Sequence, residues 1–258
     1  MPNDTATGST EKIVILGSGN WGSAISFSIG NNAQRLAHIE TEMNMWVFEE
    51  EIQHGGKACK PSHVIDEEHE NMKYLPNIKL PHNIRAEPDL EKACRDVTLL
   101  IFVLPHQFLP PLLKKFRRVV HPSCRGVRLI KERTFPVIIS QSIEEIMSTN
   151  SNSLHPFSCG VLMGANVANE VAKGQIRESA LASSFNAVDE IDMNAPTRQV
   201  FDSSTFRVQH VKDVVGAEVS GTLKNIVALL RVGLKEIYKE LFDVVRDDTF
   251  LESCGMAD

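Results

Sequence analysis

The stretch "KIVILGSGNWGSAI", residues 12–25, sets Gly17, Gly19 and Gly22 in a G-x-G-x-x-G spacing directly after an aliphatic run. That pattern suits the binding of a dinucleotide pyrophosphate. The first glycine permits a tight bend, the second lets backbone approach the phosphates, and the third lets a helix pack on a strand. The helix that follows turns its free N–H groups and positive dipole end toward the anion. A purely structural glycine turn is the competing reading. A second strand, "MNMWVFEEE", ends in Glu49, Glu50 and Glu51, where a carboxylate can hydrogen-bond ribose hydroxyls and repel a 2′-phosphate, favouring NAD over NADP. The spacing from Gly22 is longer than usual, and three adjacent glutamates equally fit a solvated loop. His106, after a third strand, invites a general-base reading beside a structural one.

These groups need a scaffold, and the patterning supplies it. "KIVILG" has the continuous apolarity of a parallel strand buried on both faces, and "SAISFSIGNNAQRL" has helical spacing. "DLEKACRD" reads as a capped helix, "VTLLIFVLP" as a central strand and "FLPPLLKKFRRVV" as a crossover helix. "GVRLIKE", "FSCGVLMGAN" and "STFRVQHV" add strands. The alternation predicts an α/β, Rossmann-like doubly wound parallel sheet with its ligand crevice at the carboxyl ends of the strands. After about Val211 the pattern becomes helical, as in the start of an all-α domain. We therefore expect a loose tail over 1–11, a dinucleotide-binding domain over 12–212, and a partial helical domain over 213–258.

Composition narrows the functions. The chain has 258 residues and a formal charge of −6, which argues against broad nucleic-acid binding. The opening "MPNDTATGST" lacks a signal-peptide core, and the run "LLIFVL" is too short to span a bilayer, so we expect a cytosolic protein without membrane partners. Five cysteines without a CxxC pair and nine scattered histidines predict reduced thiols and no metal.

Taken in order, "GSGNWGSAI", "MWVFEE", "ENMKYLPNIKLP", "LIFVLPHQF", "LIK", "LMGANVANEVA", "GTLKNIVAL" and "FLESCGMAD" closely resemble the eukaryotic NAD-dependent glycerol-3-phosphate dehydrogenases. The resemblance runs from about Lys12 to Asp258. It implies that the loop of Gly17, Ser18, Gly19, Asn20, Trp21 and Gly22 cradles NAD, with Phe48, Phe108, Lys131 and Ala168 also touching the cofactor. It implies a catalytic group of Lys131, Asn166, Lys224 and Asp258, with Lys224 as general base and Lys131 also contacting substrate. The implied reaction interconverts sn-glycerol 3-phosphate and dihydroxyacetone phosphate in a cytosolic homodimer. Alone, each residue has a plainer role: the lysines as solvated surface groups, Asn166 as a turn residue, Phe48 and Phe108 as core, Cys254 as a buried thiol.

The chain also departs from the family pattern. "NIVALL" runs straight into "RVGLKEIYKELF" without the family's intervening glycine-rich loop, and the loop after Lys131 is altered. The family's "GGRN" segment, whose arginine grips the substrate phosphate, has no counterpart before the final Asp258. A bidentate Arg–phosphate contact is a charge-assisted pair, so its absence predicts impaired turnover. Two alternatives follow: a truncated NAD-binding isoform or incomplete gene product that associates with full-length subunits, or a dehydrogenase acting on another small substrate.

Overall fold

The computed structural model describes residues 10–130, 138–149, 156–164, 166–185 and 194–227, with backbone alone for 222–227. Strand β1 (Ile13–Leu16) is buried along its whole length. Its alternating side chains feed two cores, Ile13 and Ile15 on one face of the sheet, Val14 and Leu16 on the other. Helix α1 (Asn20–Arg35) follows the glycine turn and packs Ala24, Ile25, Ile29 and Ala33 into the first core.

The chain then forms β2 (Met43–Trp46), a hairpin of β3 (Ile52–His54) and β4 (Lys57–Cys59), and α2 (Pro61–Glu68). A second hairpin, β5 (Glu70–Asn71) and β6 (Leu75–Lys79), precedes the edge strand β7 (Ile84–Glu87). Helix α3 (Leu90–Cys94) is capped by Asp89, whose carboxylate accepts from the Lys92 N–H at 3.0 Å. Beyond β8 (Leu99–Phe102), a 3₁₀ turn at His106–Phe108 leads into α4 (Leu109–Phe116). The prolines Pro110 and Pro111 fall in the first turn of α4, where no N–H is needed. Then come β9 (Arg125–Arg128), α5 (Ile139–Ser148), β10 (Cys159–Met163), α6 (Ala168–Ala172), β11 (Arg177–Ala182), α7 (Asn194–Phe201), β12 (Phe206–Val211) and α8 (Val214–Val227).

The main sheet has the order β12-β11-β10-β9-β8-β1-β2-β7. Residues of α1, α6 and α7 join the core on one face, residues of α3, α4 and α5 the core on the other. The sheet is therefore doubly wound as expected, with one correction: β10 and β11 pair antiparallel, Leu162 opposite Leu181. The reason is local. Helix α6 packs on α1 at the strand ends instead of running back along the sheet, and the left-handed Gly174 (φ +70°) sends the chain straight into β11. Strand β1 pairs with β2 on one side and β8 on the other, so the order reverses between β1 and β8. In open α/β sheets the ligand crevice lies at such a switch point, beyond the carboxyl ends of the strands.

Candidate functional site

The glycine loop is built by three different constraints. Gly17 has φ +117°, and a Cβ there would lie 2.8 Å from Leu104 Cδ2. A Cβ on Gly22 would overlap the carbonyl oxygen of Gly17. Gly19 caps α1 with φ −65°, a value open to any residue, and a Cβ there would meet nothing within 4 Å. Its missing side chain thus leaves open space above the loop, as a pyrophosphate requires. Gly19 offers no side chain of its own to cap the helix start, and the first turn carries no acidic residue. The cradle therefore suits a dinucleotide phosphate.

Its support comes from the β5–β6 hairpin, a feature the motif alone does not reveal. Asn71, only 4% exposed, donates from Nδ2 to the Ser18 carbonyl at 2.6 Å and to Ser23 Oγ at 2.8 Å. Its Oδ1 accepts from the Tyr74 N–H at 3.3 Å. Asn20 Nδ2 donates to the Tyr74 carbonyl at 2.6 Å and to Asn169 Oδ1 at 3.1 Å, joining the loop to α6. The only sequence signal for this brace is that Asn71 lies in "ENMKYLPNIKLP".

Two aromatic residues follow β2 and β8 in the chain. Phe48 is 71% exposed and Phe108 53% exposed, so neither is a core residue. The glutamates after β2 are mostly engaged by the protein. Glu49 Oε1 accepts from the Ser62 N–H at 3.3 Å at the start of α2, and Glu50 pairs with Lys73 Nζ at 2.5 Å. Glu51 is exposed. His106 is half-buried at the start of the 3₁₀ turn.

At the end of β10 the chain turns through Gly164. Asn166 Nδ2 donates to Ser179 Oγ on β11 at 2.5 Å, and Ser179 is buried. Asn166 and Trp21 line one small recess with Leu129, Leu162, Ser179 and Phe206. The loop side and the Asn166 side of the crevice therefore meet. Ala168 starts α6 and is buried in the first core. Helix α8 crosses this end of the sheet closely, since a Cβ on Gly221 would lie 2.7 Å from Met163 Sδ. Lys224 follows three residues later on the same helix. Lys131, Asp258 and Cys254 lie outside the described residues.

Burial pushes the thiols of Cys94, Cys124 and Cys159 well above the usual cysteine value, which leaves them inert as nucleophiles. Among the described residues no three His, Cys, Asp or Glu side chains form a group that could hold a metal ion. Nor is any described helix long and apolar enough to cross a membrane.

Comparison with known proteins agrees with this geometry. Residues 12–189 match the family model of the NAD-dependent glycerol-3-phosphate dehydrogenase N-terminus. The chain is 37% identical to glycerol-3-phosphate dehydrogenase [NAD(+)] of Cuphea lanceolata, with 97% of this chain and 70% of that protein covered. It is 38% identical to the cytoplasmic enzyme of Bos taurus, covering 96% and 74% of the two chains. A solved structure of glycerol-3-phosphate dehydrogenase from Saccharomyces cerevisiae superposes with a TM-score of 0.83 at 31% identity, over 96% of this chain and 76% of that one. With the open glycine cradle and the crevice beside it, these likenesses show that the chain belongs to the NAD-dependent glycerol-3-phosphate dehydrogenase family.

Proposed function

We propose that the chain binds NAD(H) over the Gly17–Gly22 loop and interconverts sn-glycerol 3-phosphate and dihydroxyacetone phosphate, with Lys224 as the general base. One juxtaposition carries the reading: Trp21 of the loop and Asn166 of the β10 turn line a common recess at the carboxyl ends of the strands. The relatives in Cuphea lanceolata and Bos taurus carry this substrate and cofactor in their names. When bound, nicotinamide supplies the hydride acceptor or donor at C2 of the substrate.

The chain's own residues handle the proton and the oxygen. In the oxidative direction Lys224 takes the proton of the C2 hydroxyl; in the reductive direction its ammonium polarises the ketone and returns the proton. Free lysine has a pKa of ~10.4, so this role requires burial or a neighbouring cation to lower it. Lys131 is the neighbour assigned by the family resemblance. Asn166 hydrogen-bonds the reacting oxygen, its amide nitrogen being held by Ser179, and Asp258 anchors the lysine pair. Phe48, Phe108 and Ala168 border the cofactor. The same resemblance carries a homodimer, and the name of the bovine relative, which includes "cytoplasmic", supports a cytosolic location.

The reading is tested by NADH oxidation with dihydroxyacetone phosphate, comparing wild type with Lys224→Ala. We expect turnover in the wild type and its loss in the variant, with NADH affinity unchanged. Equal rates in the two proteins would remove Lys224 from the mechanism.

A further inference from the structure

Arg128, at the end of β9, and Glu218, on α8, form an ion pair in the protein interior. Arg128 has no exposed surface and Glu218 is 2% exposed; Arg128 Nη2 lies 2.8 Å from Glu218 Oε1. Arg128 Nη1 also donates to the carbonyl of Ile130 at 2.5 Å, at the crevice end of the strand. The carboxylate gathers donors from a third element as well. Glu218 Oε1 accepts from the Ile139 N–H at 2.6 Å, and Oε2 accepts from Ser140 Oγ at 2.7 Å and the Ser140 N–H at 3.3 Å. Those two N–H groups open α5 and have no partner within their own helix. Glu144, on α5, is another charged group facing this network.

Stability alone is a weak reason for such a pair. Desolvating two charges offsets most of their attraction, and well-packed apolar replacements of a buried pair are often neutral or stabilising. What ionic contacts add is a defined register, because donors and acceptors meet in one arrangement only. Helix α8 needs one. Its inner face is made of small or short side chains, Val214 and Ala217, packed on Val161, Met163, Ala180 and Ala182, and such a face slides easily. Gly221 continues that row against Met163, and Lys224 is the next position on it at helical spacing. A one-residue slip of α8 would turn the row, and position 224 with it, by ~100°.

We propose that Glu218, clamped by Arg128 and by the start of α5, is a positioning residue that fixes the rotation of α8 and so the presentation of Lys224. The inference rests on Lys224 being the base. Gly221 sets how closely α8 approaches the sheet, and Glu218 sets which face of α8 meets it.

The test replaces the pair by an apolar one, Arg128→Met with Glu218→Leu, and measures three things on the whole chain. These are thermal stability, kcat and KM for dihydroxyacetone phosphate, and the pH profile of Lys224 acetylation by acetic anhydride, read by mass spectrometry. We expect a folded protein with near-native melting temperature and NADH affinity. Its kcat should fall about 100-fold, as for a displaced catalytic group, with little change in KM, and its Lys224 profile should move toward that of free lysine. Unchanged kcat and an unchanged profile in the folded double variant would overturn the proposal. Should that variant fail to fold, Glu218→Gln keeps the side-chain shape and one acceptor oxygen, and the same readouts decide. The acetylation profile needs no turnover. Activity surviving in Lys224→Ala therefore strikes the base assignment, while an unshifted profile strikes the positioning role.

Discussion

Gly22 lies against the carbonyl oxygen of Gly17 so closely that one added methyl would overlap it, whereas a methyl on Gly19, between them, would touch nothing within 4 Å. The two glycines therefore do different work. Gly22→Ala must push α1 away from the turn, and we expect it to lose about 1–3 kcal/mol of stability and with it NADH affinity. Gly19→Ala should leave the melting temperature unchanged. Thermal unfolding of the two variants, side by side, checks the distinction.

Asn71 braces the loop from outside the motif. Asn71→Leu removes two donors, to the Ser18 carbonyl and to Ser23 Oγ, and the Oδ1 that accepts from the Tyr74 N–H. At about 1 kcal/mol for each lost hydrogen bond, we expect roughly 3 kcal/mol of destabilisation by urea titration. NADH binding should weaken as the loop loses its fixed shape. An unaltered NADH affinity would show that the loop holds itself.

Phe48 and Phe108 are exposed aromatic rings with little packing to lose. Phe48→Ala should shift stability by no more than about 0.5 kcal/mol, yet weaken NADH binding by about 1 kcal/mol, a typical value for an aromatic contact. Calorimetric titration against unfolding measurements separates the two quantities.

Glu70 carries a pH dependence of known sign. The Lys79 ammonium, at 2.9 Å from Oε2, and the Asn77 N–H, at 2.7 Å from Oε1, hold its carboxyl below the usual value of 4.5. An acid with a depressed folded-state pKa gives stability that is complete above 4.5 and is lost as pH falls through the folded value. We therefore expect Glu70→Gln to be less stable than wild type at pH 7, with the gap narrowing only below pH 4.5. Because Glu70 adjoins Asn71, acid should also loosen the loop brace. Urea unfolding between pH 3 and 7 provides the check.

The legible parts of the sequence were those whose constraints are local. The positive φ at Gly17 and the overlap of Gly22 with the Gly17 carbonyl arise within six residues, so "GSGNWG" announces the turn by itself, although the close approach of Leu104 to Gly17 does not. Strand β1 is equally plain because burial on both faces leaves only aliphatic residues. Asn71 braces a loop 53 residues earlier in the chain, and Arg128 meets Glu218 from another helix, so neither partnership leaves a periodic trace. Strand β7, "IRAE", has too few residues and too many polar ones to stand out from a loop. Strand β11, "RESALA", was not named as a strand, and its antiparallel direction is not encoded in its residues; that depended on α6 staying at the sheet's end. Position alone left the glutamates after β2 as ribose ligands or a solvated loop; the contacts of Glu49 with the Ser62 N–H and of Glu50 with Lys73 depend on α2 and the β5–β6 hairpin and leave no local trace.

Whether the Gly17–Gly22 loop is a working NAD(H) cradle is decided by an NADH titration of the wild-type chain and Gly19→Asp, followed by protein fluorescence. Gly19 has an ordinary φ and empty space above it, so the variant should fold normally. Its carboxylate would stand against the pyrophosphate, a like-charge contact of about 3 kcal/mol. Saturable binding in the wild type and a roughly 100-fold loss in Gly19→Asp are the predicted results. Equal affinity in the two folded proteins would contradict the claim.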